Sequence, residues 1–144
     1  MFGLDKTWQL DPRLKGDTFE IRQEDDMALL LMNDARWPWV IAVPKVVGAE
    51  ELHDIKPGYQ GAIMERCVYY GQRLKAHTQC EKINIAAIGN SVRQLHIHII
   101  ARSEGDPNWP GPVWGFGKRE AYAGAQGRDL AQELKEVFRV SLFH

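Results

Sequence analysis

The chain has 144 residues, with 18 Lys and Arg against 19 Asp and Glu and a formal net charge of −1 at pH 7. A core of this size folds without staples, so one domain over 1–144 is expected, and the near-neutral balance offers no broad basic field for a nucleic-acid polymer or an anionic membrane. Cys67 and Cys80 fall in or beside one predicted helix, the start Met1-Phe2-Gly3-Leu4-Asp5 lacks a secretion pattern, and no apolar run approaches the ~20 residues of a membrane span, so reduced thiols and a cytoplasmic home are expected.

Up to about residue 24, turn formers mix with isolated apolar residues: Asp11-Pro12 and Lys15-Gly16-Asp17 predict turns, and Phe19-Glu20-Ile21 a short strand. Residues 27–33 are apolar on both faces, which suits a central strand covered on each side. Trp37-Pro38-Trp39 follows a turn, and the run Val40-Ile41-Ala42-Val43 then predicts the antiparallel return strand, ended by Pro44, which has no ladder donor. Residues 50–55 read as a short helical turn. Pro57 suits a first helical position, and the apolar set Ile63, Met64, Cys67, Val68, Gly71 and Leu74 predicts a helix to about residue 79, packed by one side on a sheet and ~34 Å long. Residues 82–87 predict the next strand, and Gly89-Asn90 a turn into a central strand over 92–101. Residues 103–117 are too rich in Gly and Pro for regular structure, yet Trp109, Val113, Trp114 and Phe116 are too apolar for a disordered linker, so this loop should pack. A last helix is expected over 129–140, with Asp129 as N-cap and Leu130, Leu134, Val137 and Phe138 on one face.

Within the central strand lies Gln94-Leu95-His96-Ile97-His98-Ile99-Ile100. Strand alternation puts Gln94, His96 and His98 on one face and the aliphatic residues on the other, with the imidazoles about 7 Å apart. Taken alone, such a pair can serve as a nucleophile with its partner, as a His-x-His metal pair, or as two solvated side chains. The metal reading lacks further ligands at suitable spacing. His53, His77 and His144 have no motif partners and read as surface or structural.

This stretch, preceded by Asn90-Ser91-Val92, resembles the signature of the histidine triad (HIT) family, in which His-apolar-His-apolar-His-apolar-apolar follows a Gln/Asn-Ser/Thr-Val turn. Leu31-Met32-Asn33, the apolar strand closed by Pro44, and His53-Asp54-Ile55 before the long helix follow the family's order, so the likeness spans about 27–102. With Asp-Pro-Asn-Trp-Pro-Gly-Pro-Val-Trp-Gly, the chain is most similar to a bacterial, diadenosine tetraphosphate hydrolase-like branch. The resemblance implies that His96 is a nucleophile at an α-phosphate, carrying the nucleotide as a covalent intermediate, and that His98 contacts the phosphate and leaving group. A neutral imidazole is chemically suited to the attack near pH 7. Asn90 and Ser91 match the phosphate-contacting turn, Asn33 a ribose contact and Asn84 a further polar contact. Gln94 replaces the first His and keeps a donor and an acceptor but cannot titrate. Trp37-Pro38-Trp39 stands where the family has a Gly-His pair.

The implied protein is an α+β, HIT-like domain with about five mainly antiparallel strands, one long helix packed on the sheet, a C-terminal helix and the histidine face at the open side of the sheet. Its implied substrate is a nucleoside phosphate or dinucleoside polyphosphate, acted on by a hydrolase or nucleotidyl transferase, with no cofactor or metal and as a homodimer. The alternative is a nucleotide-binding module whose catalysis is weakened by Gln94.

Overall fold

In the computed structural model, which describes residues 7–139, the run Met27–Met32 is buried from Met27 to Leu31. Such a strand needs cover on both faces, and the rest of the chain provides it. The elements in order are α1 (Pro12–Asp17), β1 (Thr18–Gln23), β2 (Met27–Met32), β3 (Trp39–Pro44), a 3-10 turn (Leu52–Asp54), α2 (Pro57–Thr78), β4 (Lys82–Ala86), β5 (Ile97–Arg102) and α3 (Gln126–Val137). The strands form one five-stranded sheet in the order β1-β2-β3-β5-β4, and every neighbouring pair is antiparallel. The start 1–5, the predicted helix end at Val140 and His144 lie outside the described residues. Among the described residues no helix is long and apolar enough to cross a membrane.

One face of the sheet carries Leu29, Leu31, Val40, Ala42, Ile97 and Ile99 and packs against Ile63, Cys67 and Leu74 of α2 and Leu134 of α3. Burying each large aliphatic side chain there contributes roughly 1.5–3 kcal/mol. Pro57 starts α2, and Gln79, left-handed at φ 60°, caps it with its N–H on Lys75 O. Gly71 lets α2 approach closely, because a Cβ there would lie 3.2 Å from Ile83 Cγ2. Met64 and Val68, expected on the packed side, are exposed instead. The seam is completed by Tyr59 and Tyr70, and one residue turns the helix by about 100°, which carries 64 and 68 off the seam.

The other face, expected open, is covered. Ala28, Leu30, Ile41, Val43 and Ile100 form a second core with Leu14, Trp37, Trp39 and Val113, against which Trp8, Leu10, Val92 and Trp114 pack. The Gly- and Pro-rich loop thus packs through Val113 and Trp114, while Phe116, expected to pack with them, is exposed. Arg102, only 1% exposed, anchors the loop: Nε and Nη2 donate to the Asp106 carboxylate at 2.7 and 2.8 Å. The guanidinium also lies 5.8 Å from both the Trp37 and the Trp109 ring centroids, an arrangement that favours a cation.

Three further expectations change. Asp11-Pro12 opens a helix rather than a turn, and Lys15-Gly16-Asp17 continues it: Asp11 Oδ1 accepts from Arg13 N at 2.8 Å and Pro12 takes the first position. The C-terminal helix starts earlier, after Ala125, so Asp129 lies in its first turn and is not its cap. The central strand begins at Ile97 rather than 92, since β3 reaches it only as far as Ala42 opposite Ile97, and β4 only to Ala86 opposite His98. Residues 87–96 therefore form a loop, tied to residues 49–51 by Leu95 N donating to Ala49 O at 2.9 Å.

Candidate active site

His96 is the last residue before β5, beyond the reach of either neighbouring strand, and is 5% exposed. Its Nδ1 lies 2.6 Å from Gln94 O. A carbonyl only accepts, so Nδ1 carries the proton and the neutral ring keeps its lone pair on Nε2. The ring borders a small cavity of about 70 Å³ that Gly89, Asn90, Gln94, Glu50 and Glu51 also line. Gly89 is required by contact: a Cβ there would sit 2.7 Å from Val92 O and 3.2 Å from His96 Cε1. The turn backbone is thereby brought against the imidazole.

His98, 3% exposed, lies behind His96 with the ring centroids 4.8 Å apart. This is closer than the spacing expected for two residues of one strand, because His96 falls outside the ladder. Trp39 Nε1 donates to His98 Nδ1 at 3.0 Å, and His98 Nε2 lies 2.9 Å from Ile88 O. An indole N–H only donates, so these partners fix the Nε2–H tautomer. Burial pulls the His98 pKa down to about 4, against the Ile88 carbonyl, which favours the cation, while nearby His96 lowers it further. The ring is thus neutral near pH 7. Trp114 lies edge-on over it at 5.1 Å, and Trp39 at 5.7 Å.

Gln94 does not reach either imidazole with its side chain in these bonds. Its Nε2 donates to Gln9 O and its Oε1 accepts from Asp11 N, both at 2.9 Å, which clamps the segment leading into α1. Only its backbone carbonyl orients His96. Asn90 lines the cavity; Ser91 follows it, exposed. Asn33 and Asn84 each engage their side-chain oxygen within the protein: Asn33 Oδ1 accepts from Tyr122 N at 2.9 Å, and Asn84 Oδ1 from Arg102 Nη1 at 3.3 Å. His53 is exposed, and His77 Nε2 pairs with Glu133 Oε2 of α3 at 2.7 Å.

The structure thus gathers His96, His98, Gln94 and Asn90, and ties the Oδ1 atoms of Asn33 and Asn84 to other segments. Sequence reasoning missed Trp39 as the partner of His98, the Ile88 carbonyl, and Glu50 and Glu51 in the cavity wall. Trp39 had one visible signal, its place where a Gly-His pair was expected. Among the described residues no group of three or more His, Cys, Asp or Glu could hold a metal ion, and His98 has both nitrogens engaged, so the donors present do not fit a His-x-His metal pair.

Comparison with known proteins gives a consistent answer. The HIT domain model matches residues 13–105. A crystal structure of a histidine triad protein from Sinorhizobium meliloti 1021 is 47% identical, with 87% of this chain and 93% of that one covered at a TM-score of 0.83. Histidine triad proteins from Bradyrhizobium japonicum (38% identical, 92% and 98% covered, TM-score 0.86) and Marinobacter aquaeolei VT8 (36%, 92% and 93%, 0.83) are similar as well. No curated protein matches the sequence. With the domain model over 13–105 and relatives this similar across most of its length, the chain belongs to the HIT domain family.

Proposed function

We propose that this protein is a nucleotide hydrolase or nucleotidyl transferase, of the diadenosine tetraphosphate hydrolase-like kind, working at the α-phosphate of a nucleoside phosphate or dinucleoside polyphosphate through His96. The observation that carries the reading is the 2.6 Å bond from His96 Nδ1 to Gln94 O, which leaves the Nε2 lone pair for attack beside a small polar cavity. Nε2 attacks the α-phosphorus; an N–P bond forms as the bond to the leaving group breaks, and the leaving group departs with the electron pair and takes up a proton. Water or another acceptor then attacks phosphorus, displaces His96 and loses a proton. As the ring gains positive charge in the intermediate, its Nδ1–H bond to the carbonyl strengthens. Splitting the displacement in two lowers each barrier. Asn90, Ser91 and the turn backbone supply donors to the phosphoryl oxygens. His98 meets the leaving group only if its Nε2–H lets go of Ile88 O; otherwise it holds the turn that carries Gly89 and Asn90.

A second reading, nucleotide binding without turnover, has one observation in its favour: the Gln94 amide is spent on Gln9 and Asp11, so the first position of the motif offers His96 no titrating group. Mass spectrometry of protein quenched with adenylated substrates separates the two. The expected result is a nucleotidyl adduct on His96, absent with turnover in His96→Ala; full turnover in that variant sinks the nucleophile. The same reading includes a cytoplasmic homodimer, and light scattering that shows a stable monomer at micromolar concentration removes that part.

A further inference from the structure

The cavity beside His96, at about 70 Å³, has room for about two waters at roughly 30 Å³ each, so one tetrahedral phosphoryl group fills it. Any second phosphate of a substrate must lie outside, across the mouth. Beside the cavity stands an ion pair between the two loops that line it, made by Arg93 with Glu50 of the cavity wall. Arg93, three residues before His96, brings its Nε and Nη2 each to 3.1 Å from Glu50 Oε1, and Glu50 itself lines the cavity. The Leu95 to Ala49 bond at 2.9 Å keeps the two loops in register.

The Arg93 and Glu50 side chains are 73% and 45% exposed, and an ion pair this open to water adds only about 0–1 kcal/mol to stability. Its chemistry is more telling. A guanidinium carries five N–H groups in a rigid fork. Glu50 takes the Nε/Nη2 edge and so aims the group, leaving the Nη1/Nη2 end for an anion. Bidentate contact with phosphate is the strong form of such a bond. Glu50 and Glu51 both line the cavity, and Arg93 offsets the charge of the one it pairs with, Glu50.

We propose that Arg93 is a specificity-determining residue that binds the phosphate next to the α-phosphate, with Glu50 positioning it, so that the site selects nucleotides with two or more phosphates over nucleoside monophosphates. This rests on the nucleotide reading of the His96 site and narrows it to a substrate class. Sequence alone gave no role to Arg93, because its partner lies 43 residues away.

Calorimetric titration of the whole chain with AMP and with ADP tests it, using wild type, Arg93→Ala and Arg93→Lys. Wild type should bind ADP about tenfold or more tighter than AMP; Arg93→Ala should bring that ratio near one, and Arg93→Lys, which keeps the charge but loses the fork, should fall between. A wild-type ratio near one, or a ratio unchanged in Arg93→Ala, overturns the proposal. The His96 adduct is read separately. An ADP preference without an adduct keeps Arg93 and removes catalysis, an adduct without the preference keeps catalysis and removes Arg93, and failure of both nucleotides to bind removes both.

Discussion

At the scale of single residues, the informative contact is the one between Trp39 and His98. A His pair on a strand suggests two titrating groups, but the indole N–H at 3.0 Å can be met only by a neutral ring. His98 is therefore held as one tautomer, with Trp39 and Ile88 as its two partners, and His96 as the opposite tautomer by Gln94 O. Trp39→Phe keeps an aromatic ring against His98 and removes the donor. The expected outcome is a stability loss of about 1–3 kcal/mol from the orphaned Nδ1 acceptor and the smaller ring. It should come with mixed His98 tautomers in nitrogen NMR and slower turnover of an adenylated substrate. Unchanged ring-nitrogen shifts would reduce Trp39 to packing.

At the scale of elements, Gln94 links the site to the segment that enters α1. An amide presents its donor and acceptor side by side and can pair with Gln9 O and Asp11 N at once; an imidazole carries its two nitrogens on separate sides of a ring and meets one of them. Gln94→His should therefore lose about 1 kcal/mol of stability, a few degrees in Tm, without a gain in turnover. Thermal melts beside kcat/KM across pH 5 to 9 decide it: a rise of ~10²-fold with a new titration limb would mean that a general acid or base is needed there. The same residue shows what the sequence could and could not tell. Alternation from Gln94 to Ile100 reports which way side chains point, and that reading holds from Ile97 on. It cannot report where the neighbouring strands stop, and the ladder starts at Ile97, five residues later than the pattern alone predicts. The apolar runs of β2 and β3 and the span of α2 were legible because burial of a periodic face dictates them. Asp11-Pro12 was ambiguous by nature, since Asp and Pro favour both turns and helix starts. The histidines were legible as residues; their orienting partners Gln94 O and Ile88 O are backbone carbonyls, which leave no mark on residue type. Asn33 and Asn84 found partners on distant segments, at Tyr122 and Arg102, that no local pattern encodes.

At the scale of the whole molecule, the sheet is sealed between two apolar clusters, and the second of them closes over a titratable ring. His98 is walled by Trp39 and Trp114, neither of which titrates, and by the His96 ring at 4.8 Å. Its pKa of about 4 in the folded protein stands below the ordinary 6.5. Between those values the unfolded chain binds a proton that the folded one refuses, so stability rises with pH through this window. The contribution is complete above about pH 6.5, is lost as pH falls, and levels off near 4, where both forms are protonated. Its full size is on the order of 3 kcal/mol, from about 1.4 kcal/mol per pKa unit. The carboxyls of Asp34 and Asp106 are held below their ordinary value of 3.8: burial opposes this, and hydrogen bonds from Arg36 and Arg102 outweigh it. Their loss on acidification therefore falls below the His98 window. Urea unfolding followed from pH 7.5 to 4.5 should show the decline in wild type and a flatter curve in His98→Gln, whatever that variant loses at neutral pH. Equal slopes in the two proteins would place the titrating group elsewhere and remove His98 as the reason the fold weakens in mild acid.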